Sequence, residues 1–196
     1  MCHPLQILAA SLIAMDSGSP LLQEAAVVLV RDLAAALQPS VFCHALPTLL
    51  PRLLACASQQ AAREVAVAAD EALEQLLQRA DGAACIDMLA QRLPAESAQL
   101  TAAIESTAAL HAVLRNLRRV LCRLPPAAVH ATLDILLPGL RAAYCSPLAD
   151  VRKATVDCLV AVSLAVGDGP LKPHLESLTQ SQRRLLDIYV GKALIH

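Results

Sequence analysis

Apolar residues recur at helical spacing along most of this chain, and that periodicity limits the folds open to it. The three clearest stripes are Leu22, Ala25, Ala26, Leu29, Leu33 and Leu37; Val65, Ala68, Ala72, Leu73 and Leu76; and Val151, Ala154, Cys158, Leu159, Val162, Ala165 and Val166. Residues spaced i, i+3, i+4 and i+7 share one face of an α-helix. A helix with one apolar face must bury it against a neighbour, so the pattern predicts helices stacked on helices.

The composition agrees with an all-α fold. Hydrophobic residues make up 56% of the 196 residues, mostly Ala and Leu, and only 2% are aromatic. Strands favour β-branched and aromatic side chains, whereas Ala and Leu favour helices. Charged residues are 17% of the chain, against roughly 25% in an average soluble domain. Much of each helix surface must therefore be covered by another helix.

The charge pattern argues against nucleic-acid and membrane partners. A formal net charge of −1 gives no general attraction to nucleic acid or to acidic lipid. The uncharged stretch 33–51 is interrupted by prolines and polar residues, Pro39 and Pro47 among them, so we expect no membrane span. No Lys or Arg precedes the apolar start, as a signal peptide would require. We interpret the protein as intracellular and cytoplasmic.

Cysteine and histidine spacing predicts neither disulfides nor metal sites. The seven cysteines are odd in number and widely spaced, without a C-x-x-C pair, which is typical of a reducing compartment. The six histidines show no zinc-ligand spacing. No nucleophile elbow, P-loop or dinucleotide motif is present. We predict a protein that is not an enzyme, with no catalytic, cofactor-binding or metal-binding residues and no cofactor.

A weak internal repeat indicates the architecture. Residues 49–53 (Leu-Leu-Pro-Arg-Leu) match residues 136–140 (Leu-Leu-Pro-Gly-Leu), and residues 88–93 fall between them. Repeats of about 40–47 residues built from two or three helices are typical of HEAT and armadillo proteins. We predict an all-α fold, an α-solenoid of about four to five HEAT-type helical hairpins.

Helix start and stop signals set the predicted boundaries. The first helices of the pairs are predicted at 3–15, 40–57, 82–93, 125–145 and 170–192, and the second helices at 20–37, 61–79, 97–123 and 148–166. Pro20 follows a Ser cap, and Gly167 is a stop signal. We expect Pro51 and Pro138 to bend their helices. No Ser-, Gly- or Lys-rich linker appears, so we predict a single domain over residues 1–196.

The first predicted helix has no charged face. Ile7, Leu8, Leu12 and Ile13 recur without an intervening charge, although the ends of a helical stack need polar caps. We hypothesise that this helix is an interior element, so that the domain lacks its first repeat or pairs with something at this end.

The chain resembles a known family over nearly its whole length, most specifically in its final third. The matching segments are Val151–Ala154, Cys158–Val162, Gly167-Asp168, Leu171–Leu175 and Leu185–Tyr189. They resemble the C-terminal domain of CLASP proteins, the cytoplasmic-linker-associated proteins of microtubule plus ends. The resemblance is specific over residues 133–190 and diffuse before about residue 80.

The resemblance implies a fold and a function. It implies a TOG-like, armadillo-type superhelix of HEAT repeats in a protein that stabilises and rescues microtubules at plus ends, spindles, kinetochores and the cell cortex. It further implies a non-catalytic docking module for adaptor proteins of plus ends or kinetochores. Two alternatives stay open: a tubulin-binding TOG domain, and a general HEAT scaffold. Tubulin-binding TOG domains use the turns between paired helices. Here the turn at 16–19 has no base and no aromatic, the turn at 58–60 has only Arg63 nearby, and the turn at 94–97 has none. Only the turn at 146–150 leads into bases, Arg152 and Lys153.

Six polar residues on the best-matched helices are the candidate partner-binding residues: Arg152, Lys153, Lys172, His174, Arg183 and Arg184. For Arg152 the competing interpretation is an ion pair with a carboxylate of the next repeat, and for His174 it is capping or packing at a helix start. An alternative basic stripe comprises Arg115, Arg118, Arg119 and Arg123. That stripe either contacts an acidic partner segment or lies on a solvated face near a helix C-terminus.

Overall fold

The computed structural model describes residues 4–58, 62–94 and 104–195. Within these ranges it contains helices and no strand. The chain divides into two compact units, residues 1–81 and residues 82–196. Helices of the first unit are α1 (Pro4–Met15), α2 (Pro20–Ala36), α3 (Pro39–Ser58) and α4 (Arg63–Arg79). Helices of the second are α5 (Gly82–Ala90), α6 (Ile104–Leu121), α7 (Pro126–Ala131), α8 (Leu133–Tyr144), α9 (Ala149–Val166), α10 (Asp168–Leu175) and α11 (Gln180–Ile195).

The first unit is a stack of two hairpins. Helix α1 packs on α2 and α3 packs on α4, while α2 also packs on α4 and α1 on α3. Thus first helices meet first helices and second helices meet second helices, as in a pile of α-hairpins in chain order. The core is fully buried Leu and Val, including Val27, Leu50, Leu53 and Leu73. At the end of the stack, the Arg79 guanidinium donates hydrogen bonds to the Ala34 and Ala35 carbonyls, which the end of α2 leaves without intrahelical partners.

The predicted stripe of α4 is confirmed, and that of α2 is partly wrong. All five predicted α4 positions are buried. In α2 the buried residues are Ala26, Val27, Val30 and Ala34. The predicted core residues Leu22 and Leu29 are 55% and 41% exposed. Helix α2 is apolar on two faces, so periodicity alone could not choose which face packs on α4.

The second unit is organised around α9. This helix contacts α6, α7, α8, α10 and α11. Its predicted stripe is buried at Val151, Ala154, Cys158, Leu159 and Val162. The helix ends at Gly167, whose φ of 75° lies in the left-handed region that favours glycine and whose N–H bonds the Ser163 carbonyl at 2.8 Å. The predicted stop signal is therefore confirmed.

Two helices predicted as continuous are each broken in two. The helix predicted at 125–145 is interrupted at Thr132, whose hydroxyl donates to the Val129 carbonyl at 2.9 Å and so competes with the helical pattern. The helix predicted at 170–192 is interrupted before Thr179. There the Gln182 N–H bonds Thr179 Oγ1 at 3.3 Å, and the Thr179 N–H bonds Gln182 Oε1 at 3.0 Å. This reciprocal pair is a capping box that starts α11.

Helices α3 and α8 continue through Pro51 and Pro138. The predicted start of the helix at 97–123 and the turns near Gln59 and Ala95 lie outside the described residues. No helix in the described ranges is long and apolar enough to cross a bilayer.

Candidate functional site

The second unit carries a groove along α9, which we call the α9 groove. It consists of two adjoining cavities of about 300 Å³ and about 290 Å³ that share Arg118 and Asp157. Helix α6 lines the first cavity with α9, and α11 lines the second together with α6 and α9. The α9 residues in the groove recur at helical spacing, so they share one face of that helix. They are Asp150, Lys153, Ala154, Asp157, Val160, Ala161 and Leu164.

One end of the groove is charged. Here Arg115 and Arg118 of α6 face Asp150, Lys153 and Asp157 of α9. Arg118, Lys153 and Asp150 are exposed, while Arg115 and Asp157 are half-buried. Across the described chain, Arg118 and Lys153 form no ion pair within 4.0 Å. Their charges are therefore directed to solvent and are open to a partner.

The other end of the groove is apolar. Val160, Ala161 and Leu164 of α9 lie opposite Tyr189 and Lys192 of α11. Leu164 is 46% exposed and Tyr189 is 40% exposed, although both are large apolar side chains. The Lys192 ammonium lies 5.8 Å from the centre of the Tyr189 ring, within the range of a cation–π contact. The same helix buries Leu186 and exposes Leu185 and Ile188.

Two buried polar groups hold the helices that form the groove. The Cys158 thiol of α9 donates to the Leu114 carbonyl of α6 at 3.1 Å. The Tyr144 hydroxyl of α8 donates to the Gln182 carbonyl in the first turn of α11 at 3.2 Å. Burial raises the pKa of both groups, strongly for the Cys158 thiol. Both remain protonated donors near neutral pH and keep α6 and α11 in place beside α9.

Because the Cys158 thiol is buried, we expect the free energy of unfolding to fall at alkaline pH. The pKa of Cys158 is higher in the folded chain than in the unfolded chain, where a thiol ionises near pH 8.5. The unfolded state therefore loses its proton first, and the free energy of unfolding falls as pH rises above about 8.5. Between pH 8 and pH 10 we expect Cys158 to contribute a loss of up to about 2 kcal/mol. Urea unfolding at both pH values measures it.

Matched variants isolate this contribution. Cys158→Ala should reduce the loss between pH 8 and pH 10, whatever its effect at neutral pH. Cys122→Ala, which removes an exposed thiol, should leave the loss unchanged. An equal pH dependence in the wild type and in Cys158→Ala would contradict the assignment.

Arg152, one of the predicted partner-binding residues, contacts its own turn. Its Nη1 donates to the Ser146 carbonyl at 2.8 Å and to the Pro147 carbonyl at 2.7 Å. Among the described residues Arg152 forms no ion pair with a carboxylate, which was the competing interpretation. The guanidinium instead fastens the turn between α8 and α9, which fixes where α9 begins.

We expect Arg152→Ala to lower the free energy of unfolding by about 1–2 kcal/mol, because two carbonyls lose a charged donor. The neighbouring Lys153→Ala is the matched control. Lys153 is exposed and forms no ion pair with the described residues, so its replacement should change stability by less than about 0.5 kcal/mol. Urea unfolding of both variants tests the difference, and equal stabilities would count against the role of Arg152.

The remaining predicted residues are spread over several surfaces. Lys153 lies in the α9 groove. Lys172 and Arg183 line a separate cavity of about 600 Å³ between α10 and α11. His174 lies in the last turn of α10, not at a helix start as predicted, with Nε2 3.8 Å from Asp134 Oδ1. Arg184 is exposed on α11.

The structure also divides the predicted basic stripe. Arg115 and Arg118 line the α9 groove. Arg119 instead donates to Asn116 Oδ1 at 3.1 Å, and Arg123 donates to the Arg119 carbonyl at 3.3 Å. Asn116, which sequence reasoning missed, is fully buried and donates to the Ala112 carbonyl at 2.9 Å. Two residues of the stripe, Arg115 and Arg118, therefore belong to the α9 groove, whereas Arg119 and Arg123 lie at and just beyond the C-terminal end of α6.

Sequence reasoning missed other residues. Asp150, Asp157 and Leu164 of α9 line the α9 groove, as does Tyr189 of α11. The spacing of the three α9 residues could have placed them together on one face, but no signal placed Tyr189 beside them. The turn at 16–19, predicted to lack a base, is reached by Arg52 of α3, whose Nε lies 3.0 Å from Asp16 Oδ2. No sequence signal joins residues 36 positions apart.

Among the described residues, no group of three or more His, Cys, Asp or Glu side chains could hold a metal ion.

Comparison with known proteins agrees with the predicted resemblance. CLIP-associating protein 1-B of Xenopus laevis is 38% identical over 82 residues, which cover 42% of this chain and 6% of that protein. Protein CLASP-2 of Caenorhabditis elegans is 31% identical over 128 residues, covering 65% of this chain and 12% of that protein. This chain is similar to CLASP proteins. It spans only about a tenth or less of the length of these relatives, and no family model matches it.

A solved structure supports the fold. A TOG domain from a study of microtubule plus-end tracking by XMAP215, CLIP-170 and EB1 matches with a TM-score of 0.79. It covers 98% of this chain and 76% of that one at 18% identity. The likeness shows that the CLASP-similar chain has the fold of a HEAT-repeat α-solenoid, which confirms the predicted fold class.

Proposed function

We propose that this chain is a non-catalytic docking module of a CLASP-like microtubule-stabilising protein. It binds adaptor proteins and so brings its parent protein to microtubule plus ends, the spindle, kinetochores or the cortex. The observation that carries the proposal is the 38% identity with a CLIP-associating protein, whose name records association with CLIP. The fold of a TOG domain studied in plus-end tracking supports a cytoskeletal, cytoplasmic setting.

The exposed surface of the second unit supports docking over catalysis. The α9 groove places Arg118 and Lys153, which form no ion pair with the described residues, beside exposed apolar side chains. Protein interfaces combine a polar rim with an apolar core in this way. Protein partners are therefore favoured over nucleic acid, and the function needs no cofactor.

Binding experiments with the purified chain test the proposal. We expect the purified chain to co-elute with a CLIP-170 fragment in gel filtration and not with tubulin dimers. A fluorescent fusion of the chain should accumulate at plus ends in cells and lose that position when CLIP-170 is depleted. Arg63→Glu, which reverses an exposed charge in the first unit, is the control and should behave as wild type. A chain that binds neither protein and stays diffuse would contradict the proposal.

Tubulin binding is the second candidate. Lys153, in the first helical turn after the 146–148 turn, is exposed and unpaired among the described residues, as a basic tubulin contact at such a turn would be. Co-elution with tubulin that Lys153→Glu abolishes would favour this function over adaptor docking.

A further inference from the structure

We propose that the α9 groove binds a protein segment that carries a carboxylate at one end and a large apolar side chain at the other. The inference rests on the proposed docking function, because it takes the occupant to be part of a protein partner. It adds the chemistry and the spacing by which that partner is recognised.

The groove has an excess of positive charge. Four bases line its two cavities (Arg115, Arg118, Lys153 and Lys192) against two acids (Asp150 and Asp157). Lys192 lies over an aromatic ring, and Arg118 and Lys153 are exposed without ion pairs among the described residues. A carboxylate placed between Arg118 and Lys153 would gain two charge-assisted contacts.

Lys153 fixes where that carboxylate can lie. Arg118 and Asp157 are both shared by the two cavities, so they stand where the charged end meets the apolar end. Lys153 lines only the charged cavity, so a partner carboxylate that contacts both Arg118 and Lys153 lies at that end. Asp150 lines the same cavity, so a second partner carboxylate there would meet a like charge.

The apolar end supplies the anchor. Leu164 and Tyr189 together with Val160 and Ala161 form the second cavity. The exposed fractions of Leu164 and Tyr189 are 46% and 40%, so an apolar side chain seated here would remove both from water. Large side chains in such desolvated pockets contribute most of the binding energy of interfaces.

The length of the groove sets the spacing. Lys153 and Leu164 are eleven residues apart on α9, which corresponds to about 16 Å along a helix. An extended partner segment covers this distance in about five residues, and a helical one in about eleven. The partner should therefore carry Asp or Glu about five or about eleven residues from Leu, Phe, Tyr or Trp.

Peptide selection tests the inference on the intact chain. Random sixteen-residue peptides displayed on phage are selected against the immobilised protein, and fluorescence polarisation measures the affinity of the enriched peptides. We expect enrichment of an acid and a large apolar residue at one of the two spacings. Replacing the acid by Gln or Asn, or the apolar residue by Ser, should weaken binding at least about tenfold.

Groove variants locate the binding site. Leu164→Glu and the double variant Arg118→Glu/Lys153→Glu should each weaken the selected peptides at least about tenfold, and added salt should weaken the wild-type complex. Ile135→Glu and Arg92→Glu place the same charges at exposed positions outside the groove and should bind as wild type. Because Leu164, Arg118 and Lys153 are exposed, circular dichroism should show folded variants.

The contrary outcomes are distinct. Enrichment of basic or purely apolar peptides, no enrichment at all, or equal binding by the groove variants would overturn the inference. Self-association of the chain that Leu164→Glu abolishes would overturn it as well, because the occupant would then be a second copy. A CLIP-170 complex that both groove variants retain would remove the groove from the docking function and leave that function standing. A wild-type chain that binds neither CLIP-170 nor tubulin and stays diffuse in cells, but still selects such peptides, would contradict the function alone.

Discussion

Leu159→Ala should lower the free energy of unfolding by about 2–5 kcal/mol, the largest effect we expect from a single substitution in this chain. Leu159 is fully buried in α9, and α9 contacts α6, α7, α8, α10 and α11. Removing the branched end of Leu159 leaves a cavity between α9 and its neighbours. Because each of these helices packs against α9, they cannot move enough to fill the cavity and restore the lost contacts. Urea unfolding followed by circular dichroism measures the loss.

Leu164→Ala is the matched control on the same helix. Leu164 is 46% exposed, so its truncation removes little buried surface and should cost less than about 1 kcal/mol. If the two variants were equally stable, α9 would not be the centre of the second unit.

Gly139→Val should be the second large effect, a destabilisation of about 1–3 kcal/mol from overpacking. Gly139 is a buried residue of α8. A Cβ atom at this position would lie 2.5 Å from Leu93 Cβ and 3.0 Å from Leu93 Cδ1. A Cβ atom is fixed to the backbone, so the contact is relieved only if the segment bearing Leu93 moves away from α8. Thermal unfolding with a urea series tests this.

Gly82→Ala is the control for the chemistry of glycine replacement. A Cβ at Gly82 would also meet a leucine at 2.5 Å, but the atom it meets is Leu124 Cδ2, the tip of a flexible side chain. That side chain can rotate away, and replacing glycine by alanine stabilises by about 0.4–1 kcal/mol because the unfolded chain loses conformational freedom. We therefore expect Gly82→Ala to be neutral or stabilising. If Gly82→Ala lowered the free energy of unfolding as much as Gly139→Val, the distance to the nearest atom would decide the destabilisation, whether or not that atom can move.

The position of helix breaks shows what local sequence could not settle. The stop predicted at Gly167 is confirmed because glycine adopts positive φ without steric cost, and a residue at positive φ cannot continue an α-helix. The breaks at Thr132 and before Thr179 were missed because their apolar periodicity continues across the break. They depend on short-range hydrogen bonds, from the Thr132 hydroxyl to the Val129 carbonyl and between Thr179 and Gln182. Such side-chain bonds compete with the helix only when the surrounding packing permits it.

The candidate site divides in the same way. The spacing of Arg115 and Arg118, and the position of Lys153 at the start of α9, could be read directly from the sequence. That all three line one groove could not be, because it requires α6 to pack on α9. Arg152 shows the converse: a base that the sequence offers to a partner is occupied by the Ser146 and Pro147 carbonyls.

By itself the sequence determined that this chain is helical, that its helices pair, and that its last third is similar to CLASP proteins. Those properties follow from local periodicity and from residue identity, which the order of residues contains in full. Only the tertiary structure decided which face of α2 is buried and that Arg118 and Lys153 form no ion pair with the described residues. It also decided that Leu164 and Tyr189 stay exposed beside them. Burial and ion pairing depend on which surfaces are covered by segments distant in sequence. The spacing of residues along one helix does not determine which other helix packs against it.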